Sequence, residues 1–247
     1  MIESTVFHSM ALHASLSKND VTLDIGAGLG FLTRFLADRC RCVLAVESDV
    51  RLVDVLREEL GSSSNIQIIE GDVLKVNIPQ FDKVVSIPPY YISSSLLLWL
   101  LEKDVDCAIL IFQNEFADRL VASIGSEDYS WLTVVTNYYA ETELLDEIPK
   151  GSFYPQPKVD SIIVRLKPKR PPPFDLKSKT LFKQLVQSLF TQRNRKIKNA
   201  LLPFLESKNV SNIRKNVKPI DSLPFQGKRV RELAPEDFGD LANALTV

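Results

Sequence analysis

The first two-thirds of the chain alternates short apolar, β-rich runs with stretches in which apolar residues return at helical spacing. Residues 22–25, 42–46, 66–69, 83–86, 107–112, 132–139 and 161–166 predict strands, because Val, Ile and aromatic side chains dominate them. Between them, residues 31–38, 50–60, 93–102 and 115–123 predict helices. Strands that alternate with helices need crossover connections. This part therefore predicts an α/β domain with a doubly wound, mainly parallel sheet covered on both faces. Further on, residues 177–190, 193–206 and 235–245 keep helical spacing with no β-rich run between them, which predicts a small C-terminal helical domain. Pro203 leaves the end of the second of these elements open. The run Pro171-Pro172-Pro173 can continue neither a helix nor a central strand and reads as a stiff linker. The predicted domains are residues 1–169 and 170–247.

Charge adds a second division. The 247 residues hold 30 basic and 31 acidic side chains, but residues 1–149 have 10 basic and 23 acidic, and residues 150–231 have 20 basic and 4 acidic. Glu232, Glu236, Asp237 and Asp240 return the last sixteen residues to negative charge. A segment so rich in cations and poor in acids is an electrostatic footprint for polyphosphate, so nucleic acid is the expected partner. No apolar run exceeds 6 residues, and the N-terminus lacks a basic-then-apolar signal pattern. A soluble, cytoplasmic protein is expected. Cys40, Cys42 and Cys107 are expected to be reduced core thiols, and no metal site is predicted.

The candidate chemistry begins where the first strand meets its helix, at Asp24-Ile25-Gly26-Ala27-Gly28-Leu29-Gly30. A dinucleotide fingerprint needs its third glycine where Phe31 stands, so a diphosphate cradle is disfavoured. Glycines that admit a close ligand, behind an acid that can meet an ammonium group, suit S-adenosylmethionine. Asp24, Gly26 and Gly28 are the first candidates for binding it. Glu47, ending the second strand, is placed to accept from both ribose hydroxyls. After the third strand come Gly71-Asp72-Val73, where Asp72 can accept from the adenine amino group and the Val73 N–H can serve a ring nitrogen. Any one of these carboxylates could equally be a cap or turn former. In order, at three successive strand ends, they make a cofactor site.

The fourth strand runs into Ile87-Pro88-Pro89-Tyr90. Here the sequence resembles the KsgA-type ribosomal RNA adenine dimethyltransferases, relatives of the erythromycin-resistance methylases, in a member with archaeal-looking loops. The resemblance covers the glycine loop, Glu47, Gly71-Asp72-Val73, Gln113-x-Glu115, the block from Phe153 to Ser161, Phe190-x-Gln192-Arg193, and Arg231-Glu232-Leu233-x-Pro235-Glu236-Asp237-Phe238. It implies a Rossmann-like S-adenosylmethionine-dependent methyltransferase domain. It also implies transfer of methyl groups to N6 of adenine in small-subunit ribosomal RNA, with a role in ribosome biogenesis. In that family an Asn side chain and a proline-adjacent carbonyl accept from the adenine amine, and an aromatic residue stacks on the flipped base. That carries over to Pro88, Pro89 and Tyr90, with Phe153 as a second stacking face and Ile87 among the cofactor-binding residues.

Two departures stand out. Ile87 occupies the Asn position and offers no side-chain acceptor, a loss of about 1–3 kcal/mol unless backbone or water substitutes. A slow enzyme, one that stops after a single methyl, and one that has lost chemistry all remain open. The Gly-Gln-Asn-Phe-Leu-like segment of the family has no match before Leu16, so either the gene start is misplaced or the region of Val6-Phe7-His8 is expected to supply a substitute lid. His8 and His13 are expected to be ordinary helix residues. In the basic part, Arg193, Arg195, Lys196 and Lys198 are candidate phosphate contacts, which position an RNA without reading its sequence. A monomer acting on the small ribosomal subunit is expected. The alternatives are a catalytically weak or inactive ribosome-assembly or nucleic-acid-binding factor on the same fold, and a small-molecule methyltransferase.

Overall fold

The computed structural model describes residues 3–206 and 222–246. It separates into two compact units, Met1–Ala117 with Glu141–Pro168, and Asp118–Ala140 with Lys169–Val247. The first unit is built on a seven-stranded sheet: β1 (Val21–Ile25), β2 (Cys42–Glu47), β3 (Ile66–Glu70), β4 (Lys83–Ser86), β5 (Cys107–Gln113), β6 (Ala140–Ile148) and β7 (Ser161–Pro168). Its order is β3-β2-β1-β4-β5-β7-β6. The first five strands pair in parallel, and β7 runs antiparallel to β5. Order reverses between β1 and β4, the switch point outside whose strand ends such sheets bind ligands.

Helices α1 (Ser4–His13), α2 (Phe31–Ala37), α3 (Val50–Leu60) and α4 (Ser93–Leu100) belong to this unit, and α5 (Asn114–Val121) spans the division. Met10, Leu36, Val43, Val85, Ile109, Ile111 and Ile163 form a buried cluster, with Ile87 and Phe153 packed against its margin. The cluster thereby fixes the two strand-following segments that carry the expected target site. Asp49 caps α3, accepting from the Arg51 N–H at 3.0 Å, which starts that helix directly after Glu47.

Residues 132–139 do not form the expected strand. They lie in α6 (Trp131–Tyr139), opened by reciprocal bonds between Ser130 and Thr133, and the strand is the following segment, β6. The β-branched and aromatic residues that mimic a strand are instead buried around α6, including Val134, Val135 and Tyr138, because the helix packs against α7 (Lys179–Phe190) and α9 (Pro235–Leu245). Accordingly Asp118–Ala140 joins the second unit, a segment that the division at residue 170 had assigned to the first.

In α7, Ser178 caps the first turn, and Leu181, Phe182, Leu185, Val186 and Leu189 make its buried face. Helix α8 (Ile197–Glu206) starts four residues later than expected and continues through Pro203. The Tyr129 hydroxyl, buried, donates to the Leu233 carbonyl at 2.7 Å and ties the inserted segment to the C-terminal part. No helix among the described residues is long and apolar enough to cross a membrane.

Candidate active site

Two concavities, of about 220 and 190 Å³, open where the sheet order reverses, and Gly26 lines both. Gly26 has φ +71°, and a Cβ there would stand 2.9 Å from the Pro89 ring. Only glycine lets the segment after β4 come this close to the loop after β1.

The first concavity brings together Asp24, Ile87 and Phe153 of the expected site. Asp24 is 1% exposed, and the Thr33 hydroxyl donates to it at 2.7 Å. Burial pushes its carboxyl up to about 7, with the Thr33 bond opposing and the Glu47 charge adding to the rise. A buried carboxylate that has no cationic partner among the described residues, beside an open cavity, suits a ligand that brings a cation. Phe7 of α1, from the region expected to supply a substitute lid, lines the same cavity together with Phe31 and Tyr154.

Glu47, Asp72, Val73 and Pro89 line the second concavity. Glu47 is buried and accepts from three backbone N–H groups: Ser48 at 2.7 Å and Asp49 at 2.9 Å on one oxygen, Gly28 at 2.9 Å on the other. Gly28 thus bears on the site by clamping the glycine loop to the end of β2. The oxygen that accepts from Gly28 keeps one acceptor site, so the carboxylate arrives pre-oriented and retains capacity for a hydroxyl donor. One oxygen of Asp72 caps its own turn, accepting from the Leu74 N–H at 3.0 Å, and Lys75 lies 3.2 Å from the other. These contacts hold the Asp72 carboxyl below the usual range, the Leu74 bond foremost.

Pro88 and Tyr90 line neither concavity. Pro88 is buried, and among the described residues its carbonyl accepts no backbone hydrogen bond, whereas the Pro89 carbonyl accepts from the Ile92 N–H at 3.2 Å. Tyr90 is half-buried, with its hydroxyl 2.8 Å from the Ser161 hydroxyl. Burial pushes the Tyr90 hydroxyl pKa up, against the Ser161 bond.

In the second unit Arg195, Lys196 and Lys198 are exposed. Arg193 is not a free cation there. Its guanidinium donates to the carbonyls of Ser126 and Glu127 at 2.6 and 2.5 Å, so it braces a loop where a phosphate contact was expected. That interaction joins positions more than sixty residues apart, which local sequence does not disclose.

A family model, Ribosomal RNA adenine dimethylase, matches residues 1–245. The chain belongs to this family. Among the dimethylase relatives, it is 41% identical to a probable ribosomal RNA small subunit methyltransferase A of Methanosarcina mazei, over 99% of this chain and 90% of that one. A protein of the same description from Thermococcus onnurineus is 42% identical, over 95% of this chain and 85% of its own. The crystal structure of a dimethyladenosine transferase from Plasmodium falciparum superposes with a TM-score of 0.82 at 28% identity, covering 98% of this chain and 95% of that one. For the dimethylase fold this establishes both the mainly parallel sheet and the methyltransferase assignment.

Sequence reasoning missed Ser161 and Tyr91 as members of the site. Ser161 did stand inside the motif block from Phe153, but nothing in that block points to Tyr90. Tyr91 follows Tyr90 directly and lines the second concavity.

Proposed function

We propose that this dimethylase-family protein transfers methyl groups from S-adenosylmethionine to N6 of adenine in small-subunit ribosomal RNA. The observation carrying the reading is the convergence of Asp24, Ile87 and Phe153 on one cavity, beside a second lined by Glu47, Asp72 and Val73. The residues fit the cofactor: Asp24 is the counter-charge for its ammonium group, Glu47 an acceptor for ribose hydroxyls, and Asp72 an acceptor for the adenine amine. When bound, the sulfonium supplies an electrophilic methyl. The chain's own task is to make the amine nucleophilic. The carbonyl of Pro88 accepts a hydrogen bond from the amine, which draws the nitrogen lone pair out of conjugation with the ring. Tyr90 and Phe153 hold the extruded base. No general base is required, because the ammonium product loses its proton readily to water.

The second unit supplies sequence-independent affinity through Arg195, Lys196 and Lys198, and the protein works as a monomer on the ribosomal particle. Incubation of undermethylated small subunits with labelled cofactor, followed by nucleoside mass spectrometry, tests the reading. Dimethyladenine is expected; no methyladenine at any cofactor concentration would overturn it. One observation favours a second reading: Ile87, which lines the cavity, has no polar atom in its side chain. An assembly factor on this scaffold would bind the particle without transferring a methyl.

A further inference from the structure

Two consecutive tyrosines follow β4 and meet different surroundings. Tyr90 is half-buried and anchored on Ser161. Tyr91 is 84% exposed, yet it lines the concavity of Glu47, Asp72, Val73 and Ile92. Its backbone is braced: the Ile92 N–H donates to the Pro89 carbonyl at 3.2 Å, and the Ser93 hydroxyl donates to the Tyr90 carbonyl at 2.8 Å. An aromatic ring on a fixed turn, left in water beside a cleft, offers a large apolar face that a planar ligand can cover.

The chemistry of that cleft is unequal. Its polar groups, Glu47 and Asp72, can read hydroxyls and a base edge. Val73 and Ile92 supply aliphatic contact, Ser48 is small and polar, and among the described residues on the lining Tyr91 alone has a π-face. A purine held at its edge by Asp72 gains most from a partner for its own face, and stacking is the contact a ring can give without reading base identity.

We infer that Tyr91 is a cofactor-binding residue, supplying the aromatic face on which the purine of the adenosyl group stacks. The inference rests on the reading of this concavity as the adenosyl site and adds a residue that the motif carry-over does not assign. The ring performs the work and the hydroxyl none, so phenylalanine replaces it and alanine does not.

Calorimetry with S-adenosylhomocysteine on the full chain tests this, comparing the unaltered protein with Tyr91→Ala, Tyr91→Phe and Glu47→Ala. Tyr91→Ala is expected to weaken binding by about tenfold, the scale of one aromatic–base stack. Tyr91→Phe should stay within about twofold, and neither change should lower the melting temperature, since the ring is exposed. If Tyr91→Ala binds as the unaltered protein does while Glu47→Ala loses affinity, the inference is overturned and the cofactor reading stands. Failure of the unaltered protein to bind S-adenosylhomocysteine removes the cofactor reading and the inference with it. If Tyr91→Ala keeps its affinity for S-adenosylhomocysteine but loses affinity for undermethylated small subunits, the ring serves RNA, which also overturns the inference.

Discussion

Tyr90 and Ser161 share a hydrogen bond of 2.8 Å between their hydroxyls, joining the turn after β4 to the first residue of β7. Ser161 has no exposed surface and pairs with Gln113 at the end of β5. The antiparallel strand therefore has a role beyond extending the sheet: it places a buried anchor behind the aromatic ring proposed to hold the target base.

Loss of the anchor should loosen the ring without touching the cofactor. Ser161→Ala and Tyr90→Phe are each expected to slow methyl transfer by about two- to tenfold, the worth of one hydrogen bond. The double variant should lose no more than either single one, because both remove the same interaction. Single-turnover transfer to undermethylated subunits, alongside the affinity for S-adenosylhomocysteine, checks this. A drop in cofactor affinity would place the bond in the wrong role.

Ile87→Asn should act in the opposite direction. The new side chain adds an acceptor at the cavity that already holds Asp24 and Phe153, and about tenfold faster transfer is expected. Ile87 also packs on the margin of the apolar cluster, so the melting temperature should fall. An unchanged rate in a folded variant would mean that the backbone carbonyl suffices alone.

Much of this site was legible in local sequence because parallel strands bury both faces and end in ligand-facing turns. The strand at 107–112, a continuous apolar run, and the acids Glu47 and Asp72 at strand ends follow from that rule. Residues 132–139 misled because a helix buried on several sides has the composition of a strand, and β6, with Glu141, Glu143, Asp146 and Glu147, lacks the apolar density that announces one. Ser161 behind Tyr90 and Arg193 on the loop at 126–127 arise from contacts between distant segments. Pattern reading has no access to such pairings.

With Asp24 proposed as the counter-charge of the cofactor's ammonium group, cofactor binding is expected to depend on pH. With its carboxyl raised to about 7, the folded protein holds a proton that the unfolded chain, near 3.8, has already released. From this group, stability rises as pH falls from about 8 towards 4, and it is lost as pH rises through 7. A ligand ammonium favours the ionised form, so binding below pH 7 expels the proton. Affinity for S-adenosylhomocysteine should climb by up to about tenfold per pH unit below 7 and level off above it. Calorimetry in buffers of different ionisation enthalpy should detect the released proton at pH 6 and none at pH 8. Asp24→Asn should abolish this pH dependence.

The basic residues of the second unit should separate into two kinds. Arg193 donates to two backbone carbonyls, so Arg193→Ala removes both bonds and should cost about 1 kcal/mol of stability, read as a lower melting temperature. Its effect on the salt dependence of particle binding should be small, because the guanidinium is already committed. Arg195→Ala and Lys198→Ala remove exposed charge and should leave the melting temperature unchanged. Each should lower particle affinity and reduce the slope of log affinity against log salt by about 0.7–0.9, the counterion share of one phosphate contact. Binding titrations at several salt concentrations distinguish the two kinds. If Arg193→Ala reduced the slope as strongly as Lys198→Ala, its guanidinium would have to leave the carbonyls of Ser126 and Glu127 when RNA binds.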